Sequence, residues 1–167
     1  MVFHKKSKSE STKPEYVFEM EAAYGVPSQN GFGSAVFFEK LDPDDSLEAV
    51  ALQKYKFYVG ESWERFGEDA WLSPWKEVFN REHGAEHNIV YELQSISDRD
   101  ASDSVPMILS VVKDADFAKL ALSKAYDDED VDELCVYNLG DGEAMSGLLV
   151  AGRRNNYEAT FLVFLMD

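Results

Sequence analysis

His83-Gly84-Ala85-Glu86-His87 is the stretch of this chain whose residue types and spacing best suit chemistry. It fits the pattern H-x-x-E-H. On a continuous helix, two histidines four residues apart share a face and can hold zinc through their ring nitrogens, while the glutamate acts as general base on metal-bound water. Gly84 sits inside the motif, where it weakens a helix. A third protein ligand is also needed, and Glu82, Glu92 and Glu158 are equally open to that role. The segment therefore suggests either a metal-binding protein or a zinc-dependent hydrolase centred on His83, Glu86 and His87. Zinc is the metal it would take, and no other cofactor is called for.

A second group is aromatic. Trp63, Phe66, Trp71 and Trp75 are interleaved with Glu61, Glu64, Glu68 and Asp69. Exposed, these tryptophans would make interface anchors or a platform for a cation. Buried, they would pack a helical layer onto a sheet, since tryptophan brings a large apolar area to a core. The third group is the run Asp127-Asp128-Glu129-Asp130-Val131-Asp132-Glu133, six acids in seven residues. A calcium loop needs alternating oxygen ligands and a glycine at its bend, and this run has neither. It reads as a solvated loop or as a docking patch for a basic protein. A fourth stretch, Gly140-Asp141-Gly142-Glu143 followed by Ser146, has the composition of a hairpin turn. Ser146 has no G-x-S-x-G setting to make it a nucleophile.

Charge gives these groups their context. The 167-residue chain carries a net charge of −16. Residues 1–14 hold four lysines and one glutamate, a net +3, so the remaining body carries −19. Such a body repels nucleic acid and anionic lipid and suits a basic protein partner. With no convincing catalytic set, the sequence favours a non-enzymatic acidic binding protein of the inhibitor, immunity or regulatory kind. Its candidate binding residues are Trp63, Trp71, Trp75, Asp127, Asp128, Asp130 and Asp132. The alternative is the metal-dependent reading. The lone cysteine, Cys135, allows no internal disulfide, and no apolar stretch reaches membrane-spanning length. These features point to a cytoplasmic protein that does not engage membranes. They leave the oligomeric state open.

The elements that must position these groups can be read from periodicity. Residues 1–14 form a Lys- and Ser-rich tail expected to be disordered, and residues 15–167 form one domain. The chain from 159 to 166 is apolar on both alternating sets, Phe161, Val163 and Leu165 against Leu162, Phe164 and Met166. A strand presents successive side chains to opposite faces, so this one must be covered on both sides and lie centrally. Strands are expected over 15–24, 34–41, 52–59, 88–96, 105–112, 134–139 and 144–152, the first three as a meander; over 47–59 Leu47, Val50, Ala51 and Leu52 also suit a helix capped by Asp45 or Ser46, with the strand favoured from Leu52 onward. Residues 97–104 read as a surface loop. Helices are expected from Ser73-Pro74 through Phe79 and from Asp114 through Ala125, each capped by its first residue. The fold class is α+β: a single domain with a largely antiparallel sheet of six to eight strands and a few covering helices.

Overall fold

A computed structural model describes residues 13–27, 32–110 and 114–166. Most of the basic tail, residues 1–12, lies outside the described residues. The fold is α+β, built on one antiparallel sheet of five strands: β1 (Gly33–Lys40), β2 (Lys76–Asn80), β3 (Val131–Gly140), β4 (Ser146–Arg154) and β5 (Glu158–Met166). Their spatial order is β1-β5-β4-β3-β2. As expected, β5 is interior, paired to β1 on one side and β4 on the other. Both of its alternating sets are buried from Phe161 to Leu165, and Met166 is half-buried.

Seven helices among the described residues cover the two faces: α1 (Glu15–Tyr24), α2 (Leu47–Val59), α3 (Ser62–Phe66), α4 (Glu68–Leu72), α5 (Ile89–Gln94), α6 (Arg99–Ser110) and α7 (Ala115–Tyr126). On one face, Val36, Leu134, Val136, Leu148, Val150, Leu162 and Phe164 meet α1, α5, α6 and α7. On the other, Ala35, Phe37, Tyr137, Leu149, Ala151, Phe161, Val163 and Leu165 meet α2, α3 and α4. The sheet thus forms the middle layer of three, which is why its strands carry almost no polar alternation. No helix among the described residues is long and apolar enough to cross a membrane.

Four expected strands are helices instead. In α1 the buried residues are Val17, Met20 and Tyr24, a helical spacing, while Phe18 is 52% exposed. In α2, Ser46 caps the start by accepting a hydrogen bond from Ala49 N at 3.2 Å, and Val50, Ala51, Tyr55, Tyr58 and Val59 are buried. In α5, Asn88 accepts from Tyr91 N at 3.2 Å, and Ile89, Glu92 and Leu93 turn inward. In α6, Asp98 accepts from Ala101 N at 3.1 Å, and Ala101, Ser104, Val105, Ile108 and Leu109 follow one stripe past Pro106. That helix also takes in most of the segment expected to be a loop. In each case β-branched or aromatic residues suggest a strand, and 3.6-residue burial overrides that preference, joined in α2, α5 and α6 by a side-chain cap that α1 lacks. The sheet accordingly has five strands, and no meander opens the chain.

The helix expected from Ser73-Pro74 is a strand, β2. Ser73 ends α4 rather than capping a new helix: its N–H donates to Asp69 O at 3.0 Å and its hydroxyl to Ala70 O at 3.1 Å. Pro74 then leads the chain out to the sheet edge. The helix expected from Asp114 is present as α7, with Asp114 accepting from Phe117 N at 3.1 Å.

Candidate acidic binding surface

The end of α7 is built from opposed charges. A helix leaves its last carbonyls without intrahelical partners and carries partial negative charge there. Two arginines supply the missing donors. Arg154, at the end of β4, donates to Lys124 O at 3.0 Å and Ala125 O at 3.2 Å. Arg81, just after β2, donates to Tyr126 O at 2.8 Å. Arg81 also makes a two-pronged pair with Glu92 of α5, at 2.8 and 2.7 Å. Both members are buried, Arg81 at 7% exposure and Glu92 at 6%. One guanidinium thereby fastens the start of the 81–88 segment, α5 and the end of α7 together.

The acidic run begins on this anchor. Asp127 is half-buried, accepts from Ile89 N at 2.8 Å and lies 3.5 Å from Arg81. Burial outweighs these contacts and raises its pKa above the ordinary value of 3.8. Asp128 accepts from Asp130 N at 3.0 Å and stands 3.4 Å from Arg154. The backbone N–H of Asp130 and then Arg154 hold its pKa below 3.8. Glu133 pairs with Arg153. Glu129, Asp130 and Asp132 are exposed and have no ion-pair partner among the described residues.

The H-x-x-E-H segment lies against this run. It is not helical: His83 and Gly84 occupy a turn, Gly84 has a φ of 86°, and helix begins again only at Ile89. The one-faced presentation that a zinc site of this pattern needs is therefore absent. No group of three His, Cys, Asp or Glu among the described residues stands close enough to hold a metal ion. His83, His87, Glu82, Glu129 and Asp132 instead line a small cavity of about 110 Å³, with Arg81 behind them. Glu86 is exposed and is not among the lining residues. His87 Nδ1 lies 3.0 Å from Asp128 O. A carbonyl only accepts, so this nitrogen carries the proton and donates.

The tryptophans stand elsewhere. Trp63 and Trp71 are buried at 4% and 2% exposure in the core beneath α2, α3 and α4, and offer no face to a partner. Their ring nitrogens donate to Glu68 at 3.1 Å and Ser62 O at 2.9 Å. Trp75 is half-buried, stacks on Tyr137 with centroids 4.6 Å apart, and donates to Glu48 at 2.9 Å. Two of the four stretches singled out in sequence are thus brought together, the histidine segment and the acidic run, while Trp63 and Trp71 of the aromatic group belong to the core. The residues that sequence reasoning missed are Arg81 and Arg154. A basic residue next to a helix C-terminus is a recognised stop signal, but these two reach the end of α7 from distant strands.

Comparison of the chain with protein-family models, curated proteins and solved structures finds no match.

Proposed function

We propose that this chain is a non-enzymatic binding protein of the inhibitor, immunity or regulatory kind, acting in the cytoplasm on a basic protein partner. The contact surface is Glu129, Asp130 and Asp132 with Glu82 and the adjoining histidines. The observation that carries this reading is how the local arginines are spent. Arg81 and Arg154 are committed to α7, Glu92, Asp127 and Asp128, so the outer carboxylates have no ion-pair partner among the described residues. A preorganised charged surface of this kind raises the encounter rate with an oppositely charged partner and loses little freedom on binding.

The test uses a lysine- and arginine-rich peptide and a neutral control of equal length, each titrated into ¹⁵N-labelled protein at low and high salt. Saturable amide shifts at 82–87 and 129–132 are expected with the cationic peptide only, weakening as salt rises. The triple change Glu129→Gln, Asp130→Asn, Asp132→Asn should abolish them. Shifts that ignore salt, that survive the triple change, or that fail to arise at low salt overturn the reading.

A further inference from the structure

The two edges of the sheet differ. β2 has five residues, is bulged between Glu77 and Phe79, and opens on a lysine, all protections common on an edge strand. β1 has eight residues, with Ala35-Val36-Phe37-Phe38 at its centre and an unbroken register to β5. The bond from Leu41 N to Tyr157 O, at 2.8 Å, sets its phase. Residues 35, 37 and 39 turn their backbone groups to β5, and 34, 36, 38 and 40 turn theirs outward. Val36 N donates to Gly25 O at 3.0 Å, so the chain at Gly25 covers the start of the edge. Farther along, Phe38 N, Phe38 O and Lys40 N have no hydrogen-bond partner among the described residues.

An apolar groove of about 380 Å³ lies beside this open half, on the α2 side, lined by Pro27, Phe37, Gln53, Lys54 and Phe57. The Phe37 and Phe57 rings meet edge to face with centroids 5.9 Å apart, and Phe57 is 47% exposed. Lys54 is paired with Glu39 at 2.6 Å, which leaves the groove without a free charge of its own lining. Outward backbone groups beside a side-chain groove are what an extended segment uses to join a sheet. The backbone bonds supply affinity, and the groove selects one alternate side chain.

A segment of this chain begins next to that edge. α1 runs opposite to β1: Ser34 at the strand's start donates to Tyr24 O at the helix end, at 2.7 Å. At the helix start Tyr16 donates to Glu158 at 3.1 Å, and Glu158 is the partner of Lys40 at the strand's end. The chain therefore enters the fold at Lys13 near the open half of β1. Residues 1–12 precede it. Twelve residues reach up to ~40 Å, and Val36 to Lys40 spans only ~13 Å, so the segment can run along the edge in either direction. Its apolar residues are Met1, Val2 and Phe3, and the last two are of types favoured in strands.

We propose that Val2-Phe3-His4-Lys5 adds to the open half of β1 as a sixth strand, with the Phe3 ring in the groove against Phe37 and Phe57. Charge favours this occupant over a second copy of the chain. Residues 1–12 carry a net +2 on a chain of net −16, so the segment is drawn to its own body while two bodies repel. The tether also holds the segment at a millimolar effective concentration, so a modest intrinsic affinity is enough. The inference is independent of the acidic-surface reading, because the two are read at different amides.

The test is amide hydrogen exchange of ¹⁵N-labelled full-length protein, compared with its Phe3→Ser variant and read at Phe38 and Lys40. Both N–H groups face away from β5, so the β1–β5 ladder does not protect them directly. Their exchange should be about tenfold or more slower in the unaltered protein than in the variant. Nuclear Overhauser contacts should join the Phe3 ring to those of Phe37 and Phe57. Phe57→Ser should remove the contact to Phe37 and release the same two amides. Fast exchange in the unaltered protein, or slow exchange that survives Phe3→Ser or Phe57→Ser, overturns the proposal. So does protection that grows with protein concentration, which would assign the edge to a second copy.

Discussion

Replacing Arg81 by methionine should cost this fold about 3–5 kcal/mol, the range for breaking a buried ion pair from one side. The Glu92 carboxylate has no hydrogen-bond partner besides Arg81 among the described residues, so the change strands a group in a residue that is 6% exposed. It also removes the donor to Tyr126 O and the cation beside Asp127. Against a total stability of about 5–15 kcal/mol, such a loss is large. Glu92→Met should cost less, because Arg81 would keep Tyr126 O at 2.8 Å and Asp127 at 3.5 Å. The double change should cost less than Arg81→Met alone, since no buried charge is then left opposite an apolar group. Urea unfolding of the four proteins in a double-mutant cycle measures all three terms. The penalty of Arg81→Met also depends on pH in a definite sense. An unpaired buried glutamate has its pKa raised, so the native state takes up a proton as pH falls and the deficit should narrow from pH ~7 toward ~5. A loss below about 1 kcal/mol, typical of solvated pairs, with no pH dependence, would refute the claim that this pair is the buried anchor of the acidic run.

Further outcomes follow from other sites. Asp127 and Asp128 should titrate on opposite sides of 3.8 in carboxyl-carbon NMR, the first above and the second below. Asp128 therefore adds stability that is present above 3.8 and lost as pH falls through its lower folded value. Asp127 has the opposite sign: its contribution declines as pH rises from 3.8 through its raised folded value. Cys135, buried and with its pKa pushed up to about 11 by that burial, should resist thiol reagents near pH ~8 until the protein unfolds; fast reaction of native protein would contradict its placement. Gly147→Ala would put a Cβ 1.8 Å from Phe164 O, so the β4–β5 ladder must open, at more than the ~1–3 kcal/mol of ordinary overpacking. Deleting residues 161–167 removes an interior strand whose buried side chains contribute roughly 1.5–3 kcal/mol each, and should abolish cooperative melting.

What could be read from the chain divides along a physical line. The C-terminal strands were legible because β5 is apolar on both alternating sets, and only an interior strand between two covered faces accommodates that. Asp114 and its alanine stripe were legible because cap and period agree over 12 residues. The other helices were not, for two different reasons. In α1 and α2 the apolar residues sit densely enough to fit both periods, so Tyr16, Phe18 and Met20 look like one face of a strand while Val17, Met20 and Tyr24 form the buried face of a helix. In α6, Val105 and Pro106 suggest an edge strand, and only the cap at Asp98 and the small buried Ala101 and Ser104 reveal the helix. In α2 and α6 a side-chain cap marks the helix start, and caps carry less weight in a reading led by hydrophobic residues.

The site was half legible for a related reason. Acidic residues announce themselves as a run, and the run from 127 to 133 is conspicuous in a chain of net charge −16. What gives that run a shape is its few basic neighbours. Among them, Arg81 lies 46 residues away from Asp127 and Arg154 lies 26 residues away from Asp128. Both reach the end of α7 only because β2 and β4 flank β3, with which they pair, and end near its start. The same topology places His83 and His87 beside Glu129 and Asp132 without forming the helix that their spacing suggests. In a strongly acidic protein the informative residues are therefore the buried cations. They determine which carboxylates are paired inside the fold and which face solvent.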